Sequence, residues 1–321
     1  MNILLLSIGT RNKIVQYFKK ELNGNGLVIA TDCSNLAPAI YDADKYYIVP
    51  PISSVGYIDE IFKICKNEKI NGVLSFIDPE LSLLAQYTDK FRKIGVTPII
   101  SDYEKVELCF DKYQMYQFLI QNKYNCAKSY IDKNLFYEDL EKGDINLPVF
   151  VKPIRGSASI NVNKADSERE VELLFEKYDG LMIQEYIDGV EYGADVYIDM
   201  LSGEVTDIFI KEKLKMRAGE TDKSVSVKND TLFIMIENFV KTINLRGIID
   251  IDIFYYRGMY YISEVNPRFG GGYPHAYECG VNIPKCIINN LQGMANCDNK
   301  CMYDENVYMM KYNEIKILRI N

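Results

Sequence analysis

Asp252, Glu264, Asn266 and Arg268 put two carboxylates, one carboxamide and one guanidinium into one short stretch of this chain. Three glycines, Gly270 to Gly272, follow at once. Carboxylate and amide oxygens suit a hard cation such as Mg²⁺, and an arginine beside them suits phosphate or carboxylate. The combination points to nucleotide phosphate chemistry. Residues i and i+2 of a strand share a face, so Glu264, Asn266 and Arg268 project together, as do Asp250 and Asp252. The turn between the two strands falls within Tyr256-Arg257-Gly258-Met259-Tyr260. A two-residue loop at Arg257-Gly258 would set Asp252 opposite Ser263, on the wrong face. A three-residue loop, Arg257-Gly258-Met259, sets Asp252 opposite Glu264 and uses Gly258 for the positive φ that such loops want. A metal site here therefore predicts the odd-numbered loop. The plain alternative is a solvated hairpin with its charges on the wet side.

A second group has the same flavour. Val151-Lys152-Pro153 reads as a strand carrying one lysine, and Arg155-Gly156-Ser157-Ala158-Ser159 as a small-residue loop. A lysine on a rigid strand brings a point charge to polyphosphate, and backbone N–H groups of small residues can close over it. Each feature alone is more often a snorkelling surface lysine or an ordinary turn.

The elements that must position these groups are legible from spacing. Residues 1–105 alternate short apolar strands (Ile3–Ser7, Leu27–Thr31, Tyr46–Val49, Gly72–Phe76, Val96–Ile100) with helical spacing (Arg11–Leu22, Tyr57–Asn67, Pro79–Phe91). That alternation predicts a parallel α/β sheet. Its first turn, Ser7-Ile8-Gly9-Thr10-Arg11, has one of the three glycines of a dinucleotide fingerprint, which argues against an NAD-linked oxidoreductase. Asp78-Pro79-Glu80 at the end of the fourth strand sits where a phosphate- or substrate-contacting turn could lie, and it also reads as a helix start with Asp78 as N-cap; the two roles can coexist. Ser101-Asp102-Tyr103-Glu104 reads as a capping box. A further helix begins near Asp111-Lys112. Beyond Lys152, strands are expected at Ile160–Val162, Met182–Ile187, Gly193–Asp199, Val205–Ile210 and Val225–Lys228, and helices at Ser167–Lys177 and Thr231–Ile243.

Composition narrows the field. At 321 residues with 48% apolar content the chain can build two or three packed units. A net charge of −8 makes a nucleic-acid partner a poor fit. The sequence has no run of eighteen apolar residues, so no membrane span is expected. The apolar N-terminus lacks a basic leader and reads as a buried strand. Eight cysteines occur without a CxxC pair, which suggests reduced thiols and a cytoplasmic protein. One histidine, His275, excludes multi-histidine metal sites.

Taken in order, Lys112, Val151-Lys152-Pro153, the small-residue loop, Gln184-Glu185-Tyr186-Ile187, Glu191, Asp252, Glu264-Val265-Asn266 and Arg268 resemble the ATP-grasp superfamily over nearly the whole chain. Segments such as Leu108–Lys112, Phe209–Lys213, Met216–Ser224 and Asn266–Ala276 resemble the stand-alone proteins labelled carbamoyl-phosphate synthase large subunit-like. The resemblance implies a Rossmann-like pre-ATP-grasp domain (1–105), a small ATP-grasp lobe with its phosphate lid and linker (106–187), and a large lobe with the metal site (188–321). It also implies roles. Lys112 and Lys152 would meet the α- and β-phosphates, and Arg155, Gly156, Ser157 and Ser159 would form the lid. Gln184 to Ile187 would hold adenine, with Glu185 at its amino group, and Glu191 would hold the ribose. Asp252, Glu264 and Asn266 would ligate Mg²⁺, or Mn²⁺ in its place. Arg268 would steady an intermediate. Family members often carry glutamate or glutamine where Asp252 stands, which leaves Asp250 as a stand-in. Lys211, Lys213 and Arg217 are candidates for the γ-phosphate or a substrate carboxylate, against the alternative of an exposed charged strand. His275 could reach substrate or be structural.

The implied activity is ATP-dependent joining of a small-molecule carboxylate to an amine through an acyl phosphate. A carbamoyl-phosphate synthase-like subunit is a second reading, in which a homodimer or partner subunit supplies a second phosphorylation site. A non-catalytic ATP-binding module is a third.

Overall fold

The computed structural model describes residues 1–156 and 161–319. Three sheets organise them. The first contains β1 (Asn2–Leu6), β2 (Leu27–Asp32), β3 (Lys45–Ile48), β4 (Ile70–Ser75) and β5 (Thr97–Pro98), in the order β3-β2-β1-β4-β5. Every pairing in it is parallel. Helices α1 (Asn12–Leu22), α2 (Tyr57–Asn67), α3 (Asp78–Gln86) and α4 (Thr88–Lys93) make the connections, except that a 3₁₀ turn at Pro38–Asp42 joins β2 to β3. Apolar side chains on both faces of β1 are buried, Ile3 and Leu5 in one cluster and Leu4 and Leu6 in another. This is the pattern of a sheet covered on both sides. The strand order reverses between β1 and β4, and the carboxyl ends there form the crevice where α/β sheets bind ligands.

Two expectations need correction in this unit. The helix expected over Pro79–Phe91 is broken at Tyr87, which caps α3 and begins α4. Thr88 Oγ1 donates back to the Leu84 carbonyl at 3.2 Å, a bond that bends helices. The capping box at Ser101 does not form: Ser101 Oγ instead donates to the Arg246 carbonyl and accepts the Arg246 N–H, at 3.0 and 2.8 Å. Ser101 thereby joins the first unit to the start of a strand 145 residues away.

The second sheet is smaller. Helices α5 (Tyr103–Phe110) and α6 (Lys112–Gln121) lead to β6 (Ser129–Tyr130), α7 (Lys133–Lys142), β7 (Val149–Pro153), β8 (Asn163–Ala165), α8 (Glu168–Lys177) and β9 (Leu181–Glu185). The antiparallel order is β6-β9-β7-β8. Asp111 caps α6 by accepting the Gln114 N–H at 2.9 Å. Ser167 caps α8 in a full capping box with Glu170.

The third sheet contains β10 (Val190–Ile198), β11 (Val205–Arg217), β12 (Glu220–Ser226), β13 (Gly247–Tyr256), β14 (Met259–Asn266) and β15 (Tyr308–Met310), with α9 (Asp230–Ile243), α10 (Tyr273–Glu278) and α11 (Ile283–Leu291). Its order is β14-β13-β10-β11-β12-β15. The apolar stripe of α9 (Leu232, Ile236, Phe239, Ile243) is buried in the main core with Val196 and Ile251. Strand β11 runs seven residues past its expected end, through Lys211 to Arg217. Backbone pairing with β12 overrides the charge pattern there, and the turn Ala218-Gly219 supplies two positive φ values, 51° and 76°.

Candidate active site

The β13–β14 hairpin turns at Arg257-Gly258, a two-residue loop with φ of 48° and 81° and with Tyr256 paired to Met259. The three-residue loop expected from sequence is therefore absent. Asp252 nevertheless pairs with Glu264, and Asp250 with Asn266. A β-bulge reconciles the two facts. Ile253 pairs with Ile262 and Asp252 with Glu264, so Ser263 is the extra residue. One inserted residue restores the parity that the even turn would have broken. The carboxylates and the carboxamide share a face through the bulge rather than through the turn.

Cationic side chains crowd this face. Lys213 lies against Asp252 and 2.8 Å from Glu191. Burial works against its charge, but Asp252 and Glu191 more than offset this and hold the ammonium above its ordinary range. Lys112, at the first turn of α6, stands 3.7 Å from Glu264 and donates to the Gly156 carbonyl at 2.6 Å. Lys152 projects from β7 and donates to Gln184 Oε1 at 2.6 Å. Gln184 in turn donates to Ser129 Oγ at 3.0 Å. Burial pushes the Lys152 ammonium down to about 8. A narrow cleft between the second and third sheets is lined by Lys112, Tyr116, Gln184, Ile262 and Glu264. Lys152 of the small sheet and Lys112 of α6 thus approach Glu264 of the large sheet across a gap.

Asp250 lies beneath the glycine run. A Cβ on Gly270 would sit 2.4 Å from its carboxylate, and one on Gly272 would sit 2.8 Å from Lys211 Cε. Only glycines permit that approach. Burial, reinforced by Asp252, pushes the Asp250 carboxyl up to about 7. Arg268 forms a bidentate pair with Asp78, at 2.9 and 3.2 Å, and also donates to Asn266 Oδ1 at 3.2 Å. Asp78 is therefore not the N-cap of α3. Ile77 takes that position, and the Asp78 carboxylate faces Arg268.

The remaining candidates are placed unevenly. Glu185 accepts the Lys128 N–H at 3.1 Å, and the Tyr186 ring lies edge-on to Phe150. Ile187 is buried. Arg155 is drawn to Glu107 at 2.8 Å and Asp111 at 3.4 Å at the root of its loop. Ser157 and Ser159, with Ile160 of an expected strand, lie outside the described residues. Lys211 is sealed in an ion pair with Asp195, both about 1% exposed or less. Arg217 sits at the exposed tip of the β11–β12 hairpin, 3.0 Å from Asp222. Lys211 shares the sheet face of Asp250 and Asp252, but its ammonium is taken by Asp195, the strand partner of Asp250. Arg217 stays at the outer tip, and the alternative of an exposed charged strand describes only that outer end of β11. The third candidate of this strand, Lys213, meets Glu191 and Asp252 directly. Lys211 and Lys213 share a face of β11, and β11 pairs with β10, on which Glu191 stands. His275 is structural. Its Nδ1 meets Ser224 Oγ at 2.8 Å and its Nε2 meets the Val307 carbonyl at 3.0 Å. Burial and the nearby Lys211 push it down to about 4, so it is neutral.

Comparison with known proteins decides the family. Residues 3–99 match the family described as PylC-like, N-terminal domain, and residues 109–272 match the family described as ATP-grasp domain. The chain belongs to the ATP-grasp family. Among curated relatives it is 23% identical over 265 residues to the carbamoyl phosphate synthase large chain of a Thermoanaerobacter species, covering 77% of this chain and 23% of that one. It is 25% identical over 238 residues to the vancomycin B-type resistance protein VanB of Enterococcus faecalis, covering 64% and 67%. The chain thus spans about a quarter of the length of the carbamoyl phosphate synthase large chain. Among solved structures, the biotin carboxylase domain of Hydrogenobacter thermophilus 2-oxoglutarate carboxylase, in complex with MgADP and bicarbonate, superposes with a TM-score of 0.75 at 16% identity, over 96% of this chain and 73% of that one. The L-amino acid ligase of Bacillus licheniformis gives 0.68 at 19% identity, over 91% and 74%. These ATP-grasp structures share the fold described above. Among the described residues no helix is long and apolar enough to cross a membrane.

Proposed function

We propose that this ATP-grasp protein is an ADP-forming ligase that activates a small-molecule carboxylate with MgATP and passes the acyl group to an amine. The observation that carries this reading is the cleft across which Lys112 and Lys152 approach Glu264, the strand partner of Asp252. The residues fit Mg²⁺. Two carboxylates stand opposite one another on neighbouring strands, and the Asn266 carboxamide lies one step along the same face. Among the described residues no three Asp, Glu, His or Cys side chains cluster as a cage. An ion here would complete its shell with phosphate and water oxygens, as Mg²⁺ does. Mn²⁺ would use the same donors. When bound, the ion neutralises charge on the phosphoryl oxygens.

The chain's own groups do the rest by position and charge. Lys112 and Lys152 hold the α- and β-phosphates, and the loop from Arg155 and Gly156 through Ser157 and Ser159 covers them. Gln184, Glu185, Tyr186 and Ile187 take the adenine, and Glu191 the ribose. Lys213 fixes the orientations of Glu191 and Asp252. Arg268 faces the transferring group. A substrate carboxylate oxygen attacks the γ-phosphorus and the bond to ADP breaks. The amine nitrogen then attacks the acyl carbon, phosphate leaves with the bonding pair, and the amine gives up a proton. No nucleophilic side chain takes part. Lys211 and Arg217 are assigned no contact with the reacting groups.

The test is an ADP-release screen of amino, hydroxy and sugar acids against amine acceptors. Glu264→Ala and Lys152→Ala should each abolish turnover with an unchanged circular dichroism spectrum. Full activity in both would refute the assigned site. Similarity to carbamoyl phosphate synthase favours one further substrate in the screen. Carbamoyl phosphate formed from bicarbonate, ATP and ammonia would name bicarbonate as the acid.

A further inference from the structure

Asp78 and Arg268 meet across 190 residues of chain. Asp78 is the first residue of α3, beyond the carboxyl end of β4 in the parallel sheet, and Arg268 follows β14. The pair is bidentate, with Nε donating to Oδ1 at 2.9 Å and Nη2 to Oδ2 at 3.2 Å. Both side chains are largely buried, 14% and 8% exposed. Nη2 also donates to Asn266 Oδ1 at 3.2 Å, and Nη1 to the Phe269 carbonyl at 3.3 Å. A guanidinium has five N–H groups. Four of them are thus engaged, and among the described residues one N–H on Nη1 has no acceptor.

The carboxylate is itself held from behind. Glu80, two residues along α3, is buried and accepts hydrogen bonds from three hydroxyls: Ser7 after β1 at 3.1 Å, Ser75 at the end of β4, and Tyr57 at the start of α2. The first turn of α3 is tied to the sheet at its switch point. The orientation of Arg268 is therefore set by the N-terminal unit and not only by the hairpin that carries it.

We propose that Asp78 is a positioning residue: it holds the Arg268 guanidinium so that its remaining Nη1 N–H meets an oxygen of the group being transferred. The proposal rests on the ligase reading above. It makes the N-terminal unit part of the geometry of phosphoryl transfer, since a flat, bidentate partner fixes both the plane and the rotation of a guanidinium. A group misplaced by about 1 Å can lose about 100-fold in rate.

Two measurements test it. In protein labelled with ¹⁵N-arginine, the Arg268 Nε–H signal, assigned by its loss in Arg268→Lys, should exchange slowly with solvent. In Asp78→Asn it should exchange at least about tenfold faster, as expected when a charge-assisted bond is lost. With an acid and amine pair from the screen, Asp78→Asn should lower kcat by about 10- to 100-fold and leave KM for ATP within about twofold. Asp78→Glu should recover part of the loss. In an Arg268→Lys background, Asp78→Asn should cost nothing further. Unchanged Nε–H exchange, or an equal loss of kcat with and without Arg268, overturns the proposal. If no pair gives turnover in the unaltered protein, the ligase reading fails, and the exchange measurement alone decides whether Asp78 holds Arg268.

Discussion

Lys152 offers the sharpest test of the proposed nucleotide site, because its charge is held against the pull of burial. Its ammonium titrates at about 8, pushed down first by burial and then, against the help of Glu264, by Lys112. Polyphosphate binds the charged form and would restore it. Affinity is therefore full below about pH 8 and falls about tenfold per pH unit above it. Between about pH 7 and pH 9 the protonated share drops from about nine-tenths to about one-tenth, which is about tenfold in Kd or about 1.4 kcal/mol. Stability of the unliganded protein should move the other way. The folded value of about 8 lies below the ordinary 10.5, so the folded chain carries a penalty of about 3 kcal/mol below pH 8 that vanishes as pH rises through about 10.5. Calorimetric titration with Mg²⁺ and a non-hydrolysable ATP analogue across this range measures the first trend. Lys152→Arg keeps its charge throughout and should bind with a flat profile. A flat profile in the unaltered protein, or the same slope in Lys152→Arg, would refute the assignment of Lys152 to phosphate.

Two further outcomes follow from the buried charges. Lys211→Met should destabilise the fold by about 3–5 kcal/mol in urea titration, since it leaves Asp195 charged and buried, while adding Asp195→Asn should recover most of the loss. His275 is held down to about 4 by burial and Lys211. Its neutral form stabilises the fold fully above about pH 6.5, and that contribution is lost as pH falls toward 4, reaching about 2 kcal/mol by pH 5. His275→Asn should flatten this dependence, and an unchanged acid limb in urea titrations would contradict it.

How far sequence reasoning reached depended on whether a feature was local. The alternation that predicts a parallel sheet rests on short apolar runs and helical spacing, and β1, β2, α1 and α2 lie where it put them. Strand β11 escaped because Lys211 to Arg217 look solvated until β12 pairs with them. The capping signals at Ser101 and Asp78 are local, and they do not show which distant residue competes for them. Arg246 and Arg268, distant in sequence, claim them instead. Lys213 and Lys211 look equivalent in sequence, yet one faces Glu191 and Asp252 and the other Asp195.

The chain by itself determined the chemical types: two carboxylates and an amide at period two, lysines on a strand and at a helix start, and a run of three glycines directly after them. It also determined that Asp252 must oppose Glu264 if a cation is to bind. It did not determine how. Turn residues fix register only next to the turn, and a bulge at Ser263 spends its extra residue in the middle of the ladder, where packing on both faces decides whether an irregularity is stable. The tertiary structure likewise chose the partners of the charged groups. Coulomb attraction depends on separation in space, and the chain's own order says little about which buried carboxylate will lie beside which cation.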